Sequence, residues 1–353
     1  MNRYKEIYRV ERLPVFQNRM FHSMEEAKSC TKSDVVLVQD LETGLIFNQV
    51  FQLELMEYDA DYQNETAVSA QFRKHLENVT EVIRSHFWNE SLIEVGCSKG
   101  YFLENMQELG FKITGLDPTY EGSNPAVIKE YFTPQVGLKA DGIILRHVLE
   151  HVPDPIKFLF NIREANGGGG KIYIEVPCFD WICEHRAWFD ICYEHVNYFR
   201  LSDFSRMFDV IYEIGHMFDN KFLYVVADLA TLKIPDKDSF VELQFPENFL
   251  NTVQYYAAKL KTKKTTATIW GGATKGVIFA MLLERAGTKI DTIIDINPAK
   301  QGKYIAGTGI KISSPSQAID TIPIGSDVFV MNSTYLGEIN DIVRDRLNLI
   351  AID

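Results

Sequence analysis

The chain carries one local pattern twice: an apolar strand, a glycine-rich turn, a helix, and a further strand that ends in an aspartate. The first turn lies at residues 96–100 and the second at residues 271–276. Small residues at such turns let the backbone approach a ligand, and the helix that follows offers unpaired N–H groups. The alternation of strands with crossover helices predicts an α/β fold with two doubly wound parallel units.

Changes in hydrophobic periodicity and composition divide the 353 residues into four parts. Residues 1–75 are weakly periodic and form a short N-terminal segment, and residues 76–230 hold the first α/β unit. Residues 231–262 combine a polar linker with a helix, and residues 263–353 hold the second, smaller unit. Apolar residues make up 46% of the chain, which is sufficient for a core in each unit.

Charge and cysteine content restrict the partners that this chain can have. The formal net charge of −12 leaves no basic surface for nucleic acid or for an anionic membrane. No apolar run approaches the roughly 20 residues of a membrane helix, and the N-terminus lacks the apolar core of a secretory signal. The five cysteines form no C-x-x-C pair. We therefore expect a cytoplasmic protein that acts on a small molecule.

The first glycine turn has the spacing Glu94-x-Gly96-x-x-x-Gly100, and Asp117 follows Gly96 by 21 residues at a strand end. A carboxylate there can accept both hydroxyls of a ribose. A dinucleotide site typically has G-x-G-x-x-G for its pyrophosphate, whereas an acidic residue at the position of Glu94 is common where S-adenosylmethionine binds. The spacing favours S-adenosylmethionine, and the alternative is an ordinary tight turn.

Four stretches of the sequence point to a family. They are Glu94-Val-Gly-Cys-Ser-Lys-Gly100, residues 140–154 (ADGIILRHVLEHVPD), Glu175-Val-Pro177 with residues 193–199, and Gly271-Gly-Ala-Thr-Lys-Gly276 with residues 295–302 and Pro315. Together they resemble the S-adenosylmethionine-dependent sugar C-methyltransferase family, which acts on nucleotide-linked keto-deoxysugars. The resemblance implies a Rossmann-like class I methyltransferase domain, a second, smaller Rossmann-like C-terminal domain and a short N-terminal segment, with S-adenosylmethionine as cofactor.

Methylation of a carbon next to a ketone requires a base for its proton and a donor for the enolate oxygen. The family resemblance implies that His195 removes the proton, while His151 and Glu194 orient the sugar or stabilise the enolate. The neighbouring Glu194 is also expected to tune the imidazole of His195. A histidine in so aromatic a segment is, alternatively, a packing residue.

Further site residues follow from the same resemblance. Tyr62 lies in a stretch that resembles the one closing over the substrate, and His147 is expected at the sulfonium end of the cofactor. His147 and His151 are four residues apart and could share a metal, but no third ligand is evident, so no metal is predicted. The expected cofactor contacts are Glu94, Gly96, Cys97, Gly100, Asp117, Pro118, Phe132, Arg146 and His147, and the expected substrate contacts are Tyr193, Tyr198, Gly272, Lys275 and Asp295.

Two positions depart from the family pattern. Cys192 stands where the family usually has a tyrosine, so a phenolic hydroxyl is missing there. The family's N-terminal domain commonly binds zinc through four cysteines, whereas Cys30 is the only cysteine before Cys97 in this chain. A four-cysteine zinc site therefore cannot form in the N-terminal segment.

The second glycine turn leaves three interpretations open. Gly271-x-Ala273-x-x-Gly276 follows a strand, opens a helix and is followed by Asp295 at the next strand end, which alone indicates a dinucleotide site. On that basis the chain could be an NAD(P)-dependent oxidoreductase or a dinucleotide sensor. The resemblance implies instead that this unit holds the nucleotide part of the substrate, with Lys275 near a phosphate. The third interpretation is a scaffold with an unused pocket.

We predict an S-adenosylmethionine-dependent methyltransferase that acts on a sugar, nucleotide-linked in the favoured form, by C-methylation next to a ketone. The setting would be the biosynthesis of a surface polysaccharide or a decorated natural product. Methylation of a sugar hydroxyl, which needs a base but no enolate, is the closest alternative. A binding protein that retains the cofactor fold without turnover is the other.

Overall fold

A computed structural model of the chain describes residues 2–57, 61–65, 67–262 and 267–353. The strands are β1 (Tyr4–Pro14), β2 (Lys32–Asp40), β3 (Ile46–Asn48), β4 (Ser91–Val95), β5 (Lys112–Leu116), β6 (Val127–Ile128), β7 (Gly142–Arg146), β8 (Lys171–Pro177), β9 (Asn197–Tyr198), β10 (Ile211–Met217), β11 (Phe222–Asp228), β12 (Thr268–Trp270), β13 (Thr292–Ile294), β14 (Ile312–Ser313), β15 (Asp327–Val330) and β16 (Asn348–Ala351). The α-helices are α1 (Met24–Ser29), α2 (Ala70–Phe87), α3 (Tyr101–Glu108), α4 (Pro155–Ala165), α5 (Phe179–Glu184), α6 (Leu201–Met207), α7 (Asn251–Thr262), α8 (Thr274–Arg285), α9 (Pro315–Thr321) and α10 (Leu336–Val343).

The central sheet has seven strands in the order β10-β11-β8-β7-β4-β5-β6. Its strands run parallel from β8 to β6, whereas β11 and β10 are antiparallel. The chain leaves β4 toward β5 on one side and later returns through β7 on the other. A ligand crevice is expected at this switch point, beyond the carboxyl ends of β4 and β7.

The C-terminal sheet is entirely parallel, with the strand order β14-β13-β12-β15-β16. Its switch point lies between β12 and β15, so the turn after β12 opens onto a crevice of the same kind. The two sheets confirm the predicted α/β fold with a larger and a smaller Rossmann-like unit. Residues 263–266, with which the second unit was predicted to begin, lie outside the described residues.

The N-terminal segment forms most of a four-stranded sheet, of which the sequence indicates one strand, at the apolar run of residues 35–38. β1, β2 and β3 pair in antiparallel order, and β9 from the central part of the chain completes the sheet. The last six residues of β2, which include this run, are buried without alternation. Because β9 follows the predicted catalytic pair directly, this sheet anchors the loop that carries Glu194 and His195.

The three units share one core and several polar contacts. Tyr8, Trp188 and Phe279, one from each unit, belong to a single buried cluster, in which the rings of Trp188 and Phe279 stack with centroids 5.5 Å apart. Glu338 of α10 accepts a hydrogen bond from Ser69, the N-cap of α2, at 2.7 Å. Helix α2 itself runs across the boundary predicted between residues 75 and 76. Among the described residues, no helix combines the length and the apolar composition needed to cross a membrane.

Candidate active site

A cavity of about 500 Å³ lies where the three units meet. The turns after β4 and β12 both open into it, together with the loops after β7 and before β9. The predicted site residues on its walls are Tyr62, Glu94, Gly96, Cys97, Arg146, His147, His151, Glu194, His195, Lys275 and Asp295. The two glycine turns, predicted independently, therefore serve one continuous space.

The turn after β4 has the close approach that glycine permits. Gly96 has a φ of 78°, and a Cβ atom there would lie 2.5 Å from Cγ2 of Val148. Asp117 at the end of β5 accepts hydrogen bonds from the backbone N–H of Ser98 at 2.7 Å and of Thr119 at 2.8 Å. The carboxylate of Asp117, which was predicted to bind the ribose, thus stabilises the glycine turn through these hydrogen bonds.

Glu94 ends β4 as a buried carboxylate at the cavity wall. One of its oxygens, Oε2, has no hydrogen-bond partner among the described residues. Burial raises the pKa of Glu94 to about 7, against the opposing effect of Arg146. Such a group gains most from a cationic N–H donor, which the amino-acid part of S-adenosylmethionine would supply.

Glu175 on β8 is a buried carboxylate beneath the cavity, and its negative charge compensates the positive charges of neighbouring side chains. Its Oε1 lies 3.2 Å from Nη2 of Arg146, 2.9 Å from Nε2 of His147 and 3.0 Å from Nε2 of His75. The hydroxyl of Tyr173 donates to Oε2 at 2.7 Å. Burial opposes ionisation, but the surrounding cations prevail and hold the pKa of Glu175 well below its usual range. Sequence reasoning missed His75, since nothing in α2 marks it as the partner of a residue on β8.

His147 starts the loop after β7 with a φ of 52°, a conformation that non-glycine residues seldom adopt. Its Nδ1 lies 3.3 Å from Oε1 of Glu150, and its ring packs edge-on against Phe222. Burial lowers the pKa of His147, but Glu150 and Glu175 outweigh burial and raise it to about 9. The protonated ring of His147 therefore lies beside Arg146, and both side chains contribute positive charge to the cavity wall.

His151 and His195 face each other with ring centroids 5.0 Å apart. Nδ1 of His151 lies 2.8 Å from the backbone carbonyl oxygen of Glu194, so this nitrogen carries the proton and donates it. Burial, aided by the nearby charges of His151 and His147, lowers the pKa of His195 to about 3, while Glu150 opposes this shift. His195 is consequently a neutral imidazole with a lone pair at physiological pH.

Glu150, His151 and His195 form a cluster that sequence reasoning did not identify. Their ligand atoms all lie within 4.8 Å of one another, so the cluster could hold a metal ion in principle. Glu150 is 1% exposed, and its Oε2 has no hydrogen-bond partner among the described residues. Its position one residue before His151 was visible in the sequence, but the adjacency to His195 depends on tertiary structure.

The carboxylate of Glu194 does not contact His195, which corrects the expectation that it tunes that imidazole. Its Oε1 accepts from the backbone N–H of Gln17 at 2.7 Å and of Asn18 at 3.3 Å, and its Oε2 accepts from the hydroxyl of Tyr62 at 2.6 Å. Burial raises the pKa of Glu194, against these donors. Glu194 therefore ties the N-terminal segment to the catalytic loop, and Glu150 is the carboxylate that faces the histidines.

Several predicted residues lie behind the cavity wall instead of on it. Tyr193 accepts from the backbone N–H of Gln52 at 2.8 Å and is fully buried. The hydroxyl of Tyr198 is bound to the backbone of Cys192, accepting from N–H at 3.1 Å and donating to the carbonyl at 3.0 Å. Both tyrosines thus shape the loop. Gly100, Asp117, Pro118, Phe132 and Gly272 are also outside the cavity lining.

The turn after β12 repeats the arrangement of the turn after β4. The backbone N–H of Gly272 donates to Asp295 at 2.9 Å, as that of Ser98 does to Asp117 at 2.7 Å. Gly276 allows α8 to pack closely, because a Cβ atom there would lie 1.9 Å from the carbonyl oxygen of Gly271. In each turn, a hydrogen bond from a backbone N–H to the aspartate at the next strand end therefore holds the turn in place.

Three lysines, each paired with an aspartate, lie near this second turn. Lys275 pairs with Asp190 at 2.9 Å, Lys221 with Asp353 at 3.1 Å, and both ammonium groups lie within 5.2 Å of the centroid of the Trp181 ring. Lys300 is 3.6 Å from Asp295. Of these lysines only Lys275 was predicted as a site residue; Lys300 lies in the stretch 295–302 but was given no role, and Lys221 is distant in sequence from both glycine motifs.

Both Rossmann-like units are similar to known protein families. Residues 62–210 match the family model described as a methyltransferase domain, and residues 247–334 match the one described as a C-methyltransferase C-terminal domain. A curated relative is the C-methyltransferase NovU of Streptomyces niveus, which is 22% identical over 274 residues. That alignment covers 66% of this chain and 64% of NovU.

Solved structures with a similar fold cover about half of the chain. The PH0226 protein of Pyrococcus horikoshii OT3 covers 50% of this chain and 100% of its own, with 11% identity and a TM-score of 0.39. The N-methyltransferase NodS of Bradyrhizobium japonicum WM9, in complex with S-adenosylhomocysteine, covers 48% and 92%, with 15% identity and a TM-score of 0.36. Both Rossmann-like units are thus similar to methyltransferase domains, and each family model matches less than half of the chain.

Proposed function

We propose that the protein transfers a methyl group from S-adenosylmethionine to a carbon next to a ketone in a nucleotide-linked sugar. The observation that carries the proposal is the single cavity shared by both glycine turns, with His151 and His195 also on its wall. A methyl donor held at Gly96 and a nucleotide held near Lys275 would bring the sugar between them. The match to a C-methyltransferase C-terminal domain supports carbon as the acceptor.

His195 acts as the base in this scheme. Its neutral imidazole accepts the proton from the carbon beside the ketone, and the electrons of that C–H bond form the enolate. S-adenosylmethionine, held at Gly96 and Glu94, would supply the methyl group to the enolate carbon, so that a C–C bond would form as the S–CH₃ bond breaks. The products are the methylated ketone and S-adenosylhomocysteine. Glu150, which is close to His195, stabilises the imidazolium formed in the first step.

The second glycine turn would hold the nucleotide of the substrate. Its helix α8 has no side-chain N-cap bond, so its first N–H groups are available to a phosphate. Lys275 and Lys300 supply positive charge at the same wall. A dinucleotide at this turn would occupy the acceptor's part of the shared cavity, which disfavours an independent oxidoreductase site.

Methylation of a sugar hydroxyl is the second candidate, and one observation favours it. Cys192 replaces the family's tyrosine and is buried at 1% exposure, and the hydroxyl of Tyr62 already donates to Glu194. The described residues around His195 therefore offer no free phenol for an enolate oxygen. A hydroxyl acceptor would need only the base.

Labelled S-adenosylmethionine, incubated with a nucleotide-linked 4-keto sugar and with the same sugar lacking the ketone, separates the candidates. C-methylation predicts label only in the keto sugar, together with deuterium exchange beside its ketone in the absence of cofactor. His195→Ala should abolish that exchange, whereas His216→Ala, at an exposed position on β10, should preserve it. Transfer to the sugar without a ketone would instead establish O-methylation.

A further inference from the structure

Asn18, in the N-terminal segment, is linked by hydrogen bonds to three functional parts of the molecule, to two of them directly and to the third through Gln63. Its backbone N–H lies 3.3 Å from Oε1 of Glu194, and its side-chain Nδ2 donates to Oγ1 of Thr274 at 3.1 Å. Its carbonyl accepts from the N–H of Gln63 at 2.9 Å, and the side chain of Gln63 accepts from Lys99 at 3.4 Å. Asn18 is thus connected to the catalytic loop, to the second glycine turn and to the first.

Thr274 is the first residue of α8 and lines the shared cavity. Because its hydroxyl oxygen accepts from Asn18, its O–H proton is available to an acceptor in the cavity. A hydroxyl that donates to a phosphate oxygen becomes a better acceptor on its other side, since hydrogen bonds in a chain polarise one another. A bound phosphate would therefore strengthen the bond between Asn18 and Thr274.

Asn18 also belongs to the pair of residues that holds Glu194. Gln17 and Asn18 donate their backbone N–H groups to the same carboxylate oxygen, and the carbonyl of Glu194 holds Nδ1 of His151. When the side chain of Asn18 is held in place, its backbone N–H is held too and orients Glu194. The carbonyl of Glu194 in turn orients the imidazole of His151.

We propose that Asn18 is a positioning residue that couples occupancy of the second glycine turn by a nucleoside diphosphate to the alignment of the catalytic loop. The inference rests on the proposed function, because it takes the nucleotide part of the substrate as the ligand of that turn. In terms of binding free energy such coupling is reciprocal, so loss of the Glu194 contacts must weaken nucleotide binding.

The test is a double-mutant cycle on Asn18 and Thr274 in the full chain. Asn18→Ala and Thr274→Val should each lower kcat about 10-fold, as expected for one lost hydrogen bond in the reacting complex. The double variant should be no slower than either single variant, and Thr274→Ser, which keeps the hydroxyl, should lose less of kcat than Thr274→Val. Multiplicative losses, or an unchanged kcat in Asn18→Ala, would overturn the coupling.

Equilibrium binding of UDP gives a second readout that does not depend on turnover. Tyr62→Phe, which removes the donor to Oε2 of Glu194, the oxygen that Gln17 and Asn18 do not use, should weaken UDP binding several-fold in the wild-type background and leave it unchanged in Asn18→Ala. Equal effects of Tyr62→Phe in both backgrounds would overturn the coupling and leave the proposed function intact. Absence of both UDP binding and methyl transfer in the wild type would overturn the two together.

Discussion

The backbone carbonyl of Glu194 accepts the Nδ1 proton of His151 at 2.8 Å. Since a carbonyl can only accept, this bond selects the tautomer of His151 and leaves Nε2 as the nitrogen that can face a ligand. The adjacent His195 presents a neutral ring 5.0 Å away, so two imidazoles with different hydrogen-bonding states share one end of the cavity. One imidazole can therefore accept a proton while the other donates a hydrogen bond to an oxygen of the acceptor.

That division predicts different consequences for the two histidines. His195→Ala should lower kcat by about 10²–10⁴-fold, the usual contribution of a general base. His151→Asn should lower kcat while preserving proton exchange beside the ketone, because it removes a group that orients the acceptor but leaves the base. Radiolabel transfer and deuterium exchange, measured on the same preparations, check both statements. Equal loss of exchange in the two variants would contradict the assignment.

Cofactor binding should depend on pH through Glu94. Burial raises the pKa of this carboxyl to about 7 in the ligand-free protein, so the group is half protonated at neutral pH. If the ionised carboxylate receives the amino group of the cofactor, affinity for S-adenosylhomocysteine should rise as pH increases from 6 to 7 and level off above about 8. Calorimetry in buffers of different ionisation enthalpy should detect the released proton. Glu94→Gln should bind more weakly and without this pH dependence.

The local features of this site were predictable from sequence, whereas its cross-chain contacts were not. The spacing of Gly96, Asp117, Gly271 and Asp295 identified both turns because strand, turn and helix follow one another directly. The partners of Glu194 could not be foreseen, because Gln17 lies 177 positions away and contributes only a backbone N–H.

The same limit explains the residues that were misplaced or missed. Tyr193 and Tyr198 were expected at the substrate because they flank His195 in the sequence, yet the loop directs them into the core. Trp181 and Lys221 reach the cavity through tertiary packing and belong to no recognisable motif. Adjacency in sequence is therefore a poor guide in a loop whose conformation is fixed by another sheet.

Removal of the charge at Glu175 should destabilise the fold more than any surface change. Glu175→Gln removes the carboxylate that lies 3.2 Å from the guanidinium of Arg146 and leaves His147 with Glu150 alone, and the loss of a buried counter-ion typically costs about 3–5 kcal/mol. Glu77→Gln, which affects an exposed pair with Lys74, should cost about 0–1 kcal/mol and provides the control. Because the surrounding cations hold the pKa of Glu175 well below its usual range, the advantage of the wild type is complete at pH 7 and is lost only as pH falls through that depressed pKa. Urea unfolding at pH 7 and over a series of lower pH values measures both effects, and a penalty that was already lost at pH 5, where the folded carboxylate is still ionised, would contradict the ionic explanation.

Chelation should leave methyl transfer unchanged, because no metal is predicted. The sequence predicted no metal because it showed no third ligand beside His147 and His151, and the structure brings the ligand atoms of Glu150, His151 and His195 within 4.8 Å of one another, so this cluster is where a metal would bind if the prediction were wrong. Dialysis against EDTA followed by the radiolabel assay tests this expectation. Activity that disappears and returns with Mn²⁺ or Zn²⁺, but not in Glu150→Gln, would instead establish a metal site at this cluster.

Gly96→Ala should abolish tight cofactor binding for a steric reason that a second substitution can relieve. The new Cβ would lie 2.5 Å from Cγ2 of Val148, and the backbone φ of 78° is already unfavourable for alanine. If the substituted turn relaxes in the free protein, the cofactor must restore a strain of about 1–3 kcal/mol, so the affinity for S-adenosylhomocysteine should fall by about 5- to 150-fold. Gly137→Ala has a similar φ of 71° but no atom within 4 Å of the new Cβ, and it should bind the cofactor as the wild type does. Val148→Ala in the Gly96→Ala background should restore part of the affinity by removing the clash. If Gly137→Ala weakened binding equally, or if Val148→Ala restored nothing, close approach at the first glycine turn would not be what the cofactor requires.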